Sequence, residues 1–132
     1  NYSKVLHIEA QTMLDMVWKD ILPAASAYTK ELAETVTSKK AIGAGIDTSY
    51  EEKLAGHVSV LLASATKKAE ALEYALMGVK DITDTLALAR YYRDTIFAAM
   101  NELRIIVDEM ETHCAAKYWP YPSYGDILFS VK

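Results

Sequence analysis

The sequence predicts an all-α fold: an elongated antiparallel bundle of three long helices, or four if the first breaks at Pro23, followed by an irregular aromatic C-terminal tail. Three observations carry this prediction. Apolar residues recur at steps of three and four through most of the chain, which marks helices with one buried face. Strong stop and start signals occur only around residues 43–48 and 78–84, so the pattern falls into three runs. Each run would measure roughly 45 to 60 Å at the α-helical rise, well beyond an average globular helix.

The first run, residues 3–41, places Leu6, Ala10, Met13, Leu14, Val17, Ile21, Ala25, Tyr28, Leu32 and Val36 on one face. Pro23 removes a backbone donor inside that pattern, which predicts a kink or short break near Leu22. Lys39 and Lys40 occupy the last turn, where cations suit the helix dipole, and Gly43-Ala44-Gly45 ends the run. The second run, residues 49–79, opens on two overlapping capping boxes, Thr48-x-x-Glu51 and Ser49-x-x-Glu52. Its stripe is Leu54, Val58, Leu61, Leu62, Ala65, Ala69, Leu72, Leu76 and Val79. Gly78 and Asp81-Ile82-Thr83-Asp84 then stop one helix and cap the next, a link so short that the two helices must be antiparallel. The third run, residues 83–116, carries the seam Leu86, Ala89, Arg93, Ile96, Met100, Leu103, Val107, Met110 and Cys114. Arg93 is the charged intruder on that seam, and a buried unpaired guanidinium would cost several kcal/mol. It therefore needs a carboxylate partner, Asp94 or an acid on the first run, or must reach a bundle end or a ligand. Asp15 with Lys19, Arg90 with Asp94 and Arg104 with Asp108 have the four-residue spacing of surface ion pairs.

The segment 117–132 differs in kind. Its last fifteen residues hold five of the chain's thirteen aromatics and two of its three prolines. Pro120 and Pro122 bias Trp119 and Tyr121 towards extended backbone and hold the rings away from it. So many rings left in water would form an interaction surface. The tail therefore either folds back on its own bundle or docks on another domain or subunit. Trp119, Tyr121, Tyr124 and Phe129 are its candidate contact residues, and Tyr92 and Arg93 on the third helix are candidates to meet it.

Composition narrows the function. A chain of 132 residues, 52% of them hydrophobic, makes one domain with a real core. The net charge of −4 comes from 18 acidic and 14 basic residues, with no basic stripe, which argues against nucleic acid. One cysteine, Cys114, makes no internal disulfide and suits a reducing, cytoplasmic compartment. No apolar run approaches the ~20 residues of a membrane span. The chain starts at Asn1 and enters helical pattern at once, which reads as a cut from something longer.

Catalytic patterns are missing. A di-iron bundle needs Glu-x-x-His motifs, but the residues three before His7, His57 and His113 are Lys4, Leu54 and Met110. Glu109 and His113 are spaced to share an ion, yet a lone pair on an exposed helix reads as polar surface, and no metal is assigned. Cys114 continues the apolar seam, and Gly43-Ala44-Gly45 lacks the rest of a phosphate loop. No catalytic, cofactor-binding or metal residue is assigned to this chain.

The tail Tyr118-Trp119-Pro120-Tyr121-Pro122-Ser123-Tyr124-Gly125-Asp126-Ile127-Leu128-Phe129 is the most distinctive stretch. Together with Ile8-Glu9-Ala10-Gln11-Thr12-Met13, Ile21-Leu22-Pro23-Ala24 and Tyr91-Tyr92-Arg93-Asp94, it resembles the C-terminal region of type III glutamine synthetases. The resemblance spans nearly the whole chain. It implies a parent ligase that joins glutamate and ammonia through a γ-glutamyl phosphate, using ATP and a divalent metal, magnesium or manganese. It implies as partners the catalytic domain of the same polypeptide and neighbouring subunits of a ring oligomer. The family's catalytic motifs do not occur here, so what the resemblance implies for this chain is a non-catalytic structural or assembly role. The competing reading is a free-standing helical adaptor whose tail captures a partner protein; a small bundle enzyme or ligand carrier is weaker, for want of a metal motif.

Overall fold

The structure is a computed structural model that describes residues 1–122. Tyr124 and Phe129 lie outside the described residues, so their expected contacts do too. Three helical rods make up the described chain. The first joins α1 (Tyr2–Met16), a π-helical turn π1 (Val17–Ile21) and α2 (Leu22–Lys40). The second is α3 (Ser49–Met77), extended by a 3₁₀ turn over Gly78–Asp81. The third joins α4 (Thr85–Tyr91), a second π turn π2 (Tyr92–Ile96) and α5 (Phe97–His113).

Cross-links fix how the rods run. Tyr91 bonds to Ala75, Lys68 pairs with Glu102, and His57 faces Glu109, so one number falls as the other rises and the second and third rods are antiparallel. Between the first and third rods, His7 meets Tyr92 and Glu31 meets Lys117, so these two run parallel. Lys39 with Glu51 and Lys40 with Glu52 clasp the end of α2 to the start of α3 across the intervening loop.

The core lies on the facing stripes. Leu6, Ala10, Leu14, Val17, Ile21 and Ala25 meet Val58, Leu61, Ala65, Ala69 and Leu72, and the third rod adds Tyr92, Ile96, Met100, Leu103 and Met110. Ala10, Ala25, Ala65 and Ala69 are fully buried among them, small side chains that pack between the larger ones.

Pro23 neither breaks the first rod nor sits in an ordinary turn. Its ring would crowd the Lys19 carbonyl four residues back, and it has no N–H to give. The wider π1 turn relieves this: Leu22, helical at φ −64°, ψ −44°, sends its N–H back to the Val17 carbonyl, and the helix continues through Pro23 as α2.

The second π turn corrects the expected seam of the third rod. Downstream, Ile96, Met100, Leu103 and Met110 are buried as expected, but upstream the buried positions are Tyr92 and, in part, Leu88. Leu86, Ala89 and Arg93 face solvent instead. A π turn inserts about one extra residue, which moves the upstream stripe back by one position. Arg93 is therefore no buried intruder: its Nε donates to Asp94 Oδ1 at 2.9 Å on the surface. The same widening removes Asp94 from the expected pairing with Arg90, while Asp15–Lys19 and Arg104–Asp108 form at 3.6 and 3.9 Å.

The helix starts and stops also differ in detail. Asp84 caps α4 by accepting from Ala87 N–H at 2.8 Å. Thr48 precedes α3 at the expected place but makes no capping box; its hydroxyl donates to Glu52 at 2.9 Å, and Glu51 turns inward to Lys39. The third rod ends at His113, where Cys114 turns extended at φ −85°, ψ 141°, rather than reaching residue 116.

Candidate functional site

Beyond Cys114 the chain makes a tight reversal, with Tyr118 N–H bonded to the Ala115 carbonyl at 2.9 Å and Trp119 N–H to the Ala116 carbonyl at 3.2 Å. It then lies on the first rod. The Tyr118 ring packs on the buried Tyr28 at 5.3 Å between centroids and 43° between planes. Lys117 sits 3.3 Å from Glu31 and over the Tyr118 ring, an exposed pair that adds little by itself. Trp119 and Tyr121 pack, half-buried, against the core cluster.

The best-defined polar contact is the Tyr121 hydroxyl, which donates to Asp20 Oδ2 at 2.7 Å. Burial and that carboxylate together push the phenol up to about 12, so it stays protonated and donating across the physiological range. Asp20 belongs to π1, as does Trp18, whose indole N–H is buried and finds no acceptor among the described residues. The site is adhesive in chemistry. Burial pushes the Cys114 thiol up, which makes it a poor nucleophile.

The two other candidates from the sequence lie elsewhere. Tyr92 is buried and shares a 2.8 Å hydrogen bond with His7 Nδ1. His7 and Asp20 are about 20 Å apart along the first rod, so Tyr92 belongs to a different part of the bundle from the described tail. Arg93 faces solvent with Asp94, whose carboxyl it holds below the usual range. Sequence reasoning did not find Tyr28, Asp20 or Glu31 as the tail's receivers; a tyrosine on a helix seam and two acids on the same rod give no signal of what will cover them.

Two further surfaces stand out. His57 of α3 reaches Glu109 and His113 of α5, with His57 Nε2 3.6 Å from Glu109 Oε1 and the two imidazole centroids 4.3 Å apart. An apolar groove between α1 and the third rod is lined by Ile8, Met13, Met16, Val17, Phe97 and Met100. No described helix is long and apolar enough to cross a membrane.

Residues 1–40 match a family model described as the glutamine synthetase C-terminal domain. A glutamine synthetase from Butyrivibrio fibrisolvens is 37% identical over 142 residues, covering 100% of this chain and 19% of the relative. A type-3 glutamine synthetase from Dictyostelium discoideum is 32% identical over 97% of this chain and 18% of its own length. A glutamine synthetase from Bacteroides fragilis is 23% identical, with coverage of 98% and 18%. The chain thus spans about a fifth of the length of the curated relatives it matches. No solved structure gives a significant match. Alignment from end to end with glutamine synthetases, a type-3 enzyme among them, and the match of the first rod to that domain's model make this chain similar to the C-terminal domain of glutamine synthetases.

Proposed function

We propose that this chain is a non-catalytic structural domain of a type III glutamine synthetase, which stabilises the enzyme and its assembly. The observation that supports this best is that the whole chain corresponds to only about a fifth of enzymes named glutamine synthetase. In this reading the rest of the polypeptide, with its own catalytic domain, condenses glutamate and ammonia at the expense of ATP with magnesium or manganese, in the cytoplasm. The bundle supplies surface rather than chemistry. Its groove of Ile8, Met13, Met16 and Phe97 is the kind of apolar face that a neighbouring domain or ring subunit covers.

The seam of Tyr118, Trp119 and Tyr121 on the first rod fits the same role, since it ties the segment that follows the third rod to the first. Truncating the full enzyme before Tyr118 tests the proposal. Loss of assembly, or of activity with subunits dissociating, is the expected result. Unchanged assembly together with unchanged activity overturns it.

A further inference from the structure

The His57, Glu109 and His113 cluster has no part in the core, in the tail seam or in the apolar groove. Glu109 and His113 are one turn apart on α5, so their side chains leave the same face of that helix. His57 comes from the antiparallel α3 and brings an imidazole over that face. One ligand atom from each of the three residues lies within 4.8 Å of the other two. Two donors around a tetrahedral ion with bonds near 2.1 Å sit about 3.4 Å apart. The His57–Glu109 separation of 3.6 Å already fits, and small side-chain rotations close the rest.

We propose that His57, Glu109 and His113 bind a divalent transition-metal ion of the zinc class, which bridges the second and third rods. Two imidazoles and a carboxylate are a borderline donor set that suits zinc, cobalt or nickel, whereas magnesium and calcium prefer oxygen donors alone. Three protein ligands leave a fourth position for water. That side is open: Gly56 next to His57 presents no side chain, and a concave surface lined by Tyr50, Leu54, Gly56, His57 and His113 lies there. His113 also ends α5, where the unpaired carbonyls favour positive charge. Lys53 is the opposing cation on the same surface, and Glu52 beside it offsets that charge. Two histidines and a glutamate meeting merely as polar neighbours on the surface is the alternative that the experiment must eliminate.

The full chain, stripped with a chelator and titrated with Co²⁺ and Zn²⁺, tests the site. Expected are one Co²⁺ per chain with the visible absorption of a four-coordinate ion, displacement of that signal by Zn²⁺, and a higher melting temperature with metal. His57→Ala and His113→Ala should each weaken binding by roughly 100-fold or more, because even removal of an outer-shell partner costs about 10- to 100-fold. Helical circular dichroism of the apo variants should match wild type, since none of the three side chains is part of the core. Absence of Co²⁺ absorption, or equal affinity in wild type and both variants, overturns the assignment. So does half an ion per chain, which would place the metal between two copies.

Discussion

At the scale of single residues, the contact between Tyr91 and the end of α3 is the most constrained. The Tyr91 hydroxyl donates to the Ala75 carbonyl at 2.6 Å, a second bond to an oxygen near the helix end that also accepts from Gly78 N–H. A Cβ added at Gly78 would lie 2.9 Å from that hydroxyl oxygen, too close for a tyrosine ring fixed between two rods. Gly78→Ala should therefore destabilise the wild type by about 1–3 kcal/mol, and Tyr91→Phe by about 1 kcal/mol. The double variant should be more stable than the sum of the two predicts, because the clash leaves with the hydroxyl. Urea unfolding of the four proteins closes that cycle; simple additivity would refute the contact.

Tyr121 gives a test in pH. Its phenol is raised from 10.0 to about 12 in the folded chain, so the folded state favours the protonated form. The stability it contributes is complete below pH 10 and is lost as pH rises through about 12. The stability difference between wild type and Tyr121→Phe should hold constant up to pH 10 and shrink above it. A difference that does not change over that window would show that the Asp20 bond is not made.

At the scale of the elements, the two π turns do the adjusting. The one over Val17–Ile21 has a visible cause in Pro23, and the sequence signals a disturbance there. The one over Tyr92–Ile96 has no such marker, and the three-and-four pattern runs straight through it by way of Leu86, Ala89 and Arg93. That regularity misled, since a second stripe through Leu88 and Tyr92 lies one residue away and the sequence alone does not choose between them. Burial of the larger tyrosine in place of an arginine is the physical reason for the choice.

The π insertion also makes a prediction. Removing Asp94 should take out the extra residue and leave Leu88 and Tyr92 in line with Ile96, Met100, Leu103 and Met110 at even steps of three and four. That deletion should fold cooperatively. Deleting Glu102 instead turns Leu103 and Met110 about 100° off the core and should cost more than about 3 kcal/mol. Denaturant unfolding of both deletions decides it, and equal damage from the two would mean that the π turn is not the adjustable element.

At the scale of the molecule, the three helical rods and the places where they are joined were legible because helix periodicity and punctuation are local. Features that join distant residues were not. His57 lies far in sequence from Glu109 and His113, and only the antiparallel register of α3 and α5 brings it to them. Trp119 and Tyr121 stood out in the sequence as rings that would seek a surface, but the seat of Tyr118 and Tyr121 on Tyr28 and Asp20 depends on the parallel course of the first and third rods. The Thr48 capping box failed for a related reason: Lys39, from the preceding helix, draws Glu51 inward and away from its local role.

The placement of the two indoles has an optical consequence. Trp18 lies in the turn that carries Asp20, and Trp119 lies in the segment that Tyr121 anchors to it. These are the chain's only tryptophans, so its ultraviolet emission originates almost wholly from the junction between tail and first rod. Peptide-bond dichroism, by contrast, is dominated by the three rods. Detachment of the tail with the bundle intact should redden and dim the emission while the helical signal stays constant, and global unfolding should move both together. The native sequence thus carries its own reporter for that one seam, with no label attached.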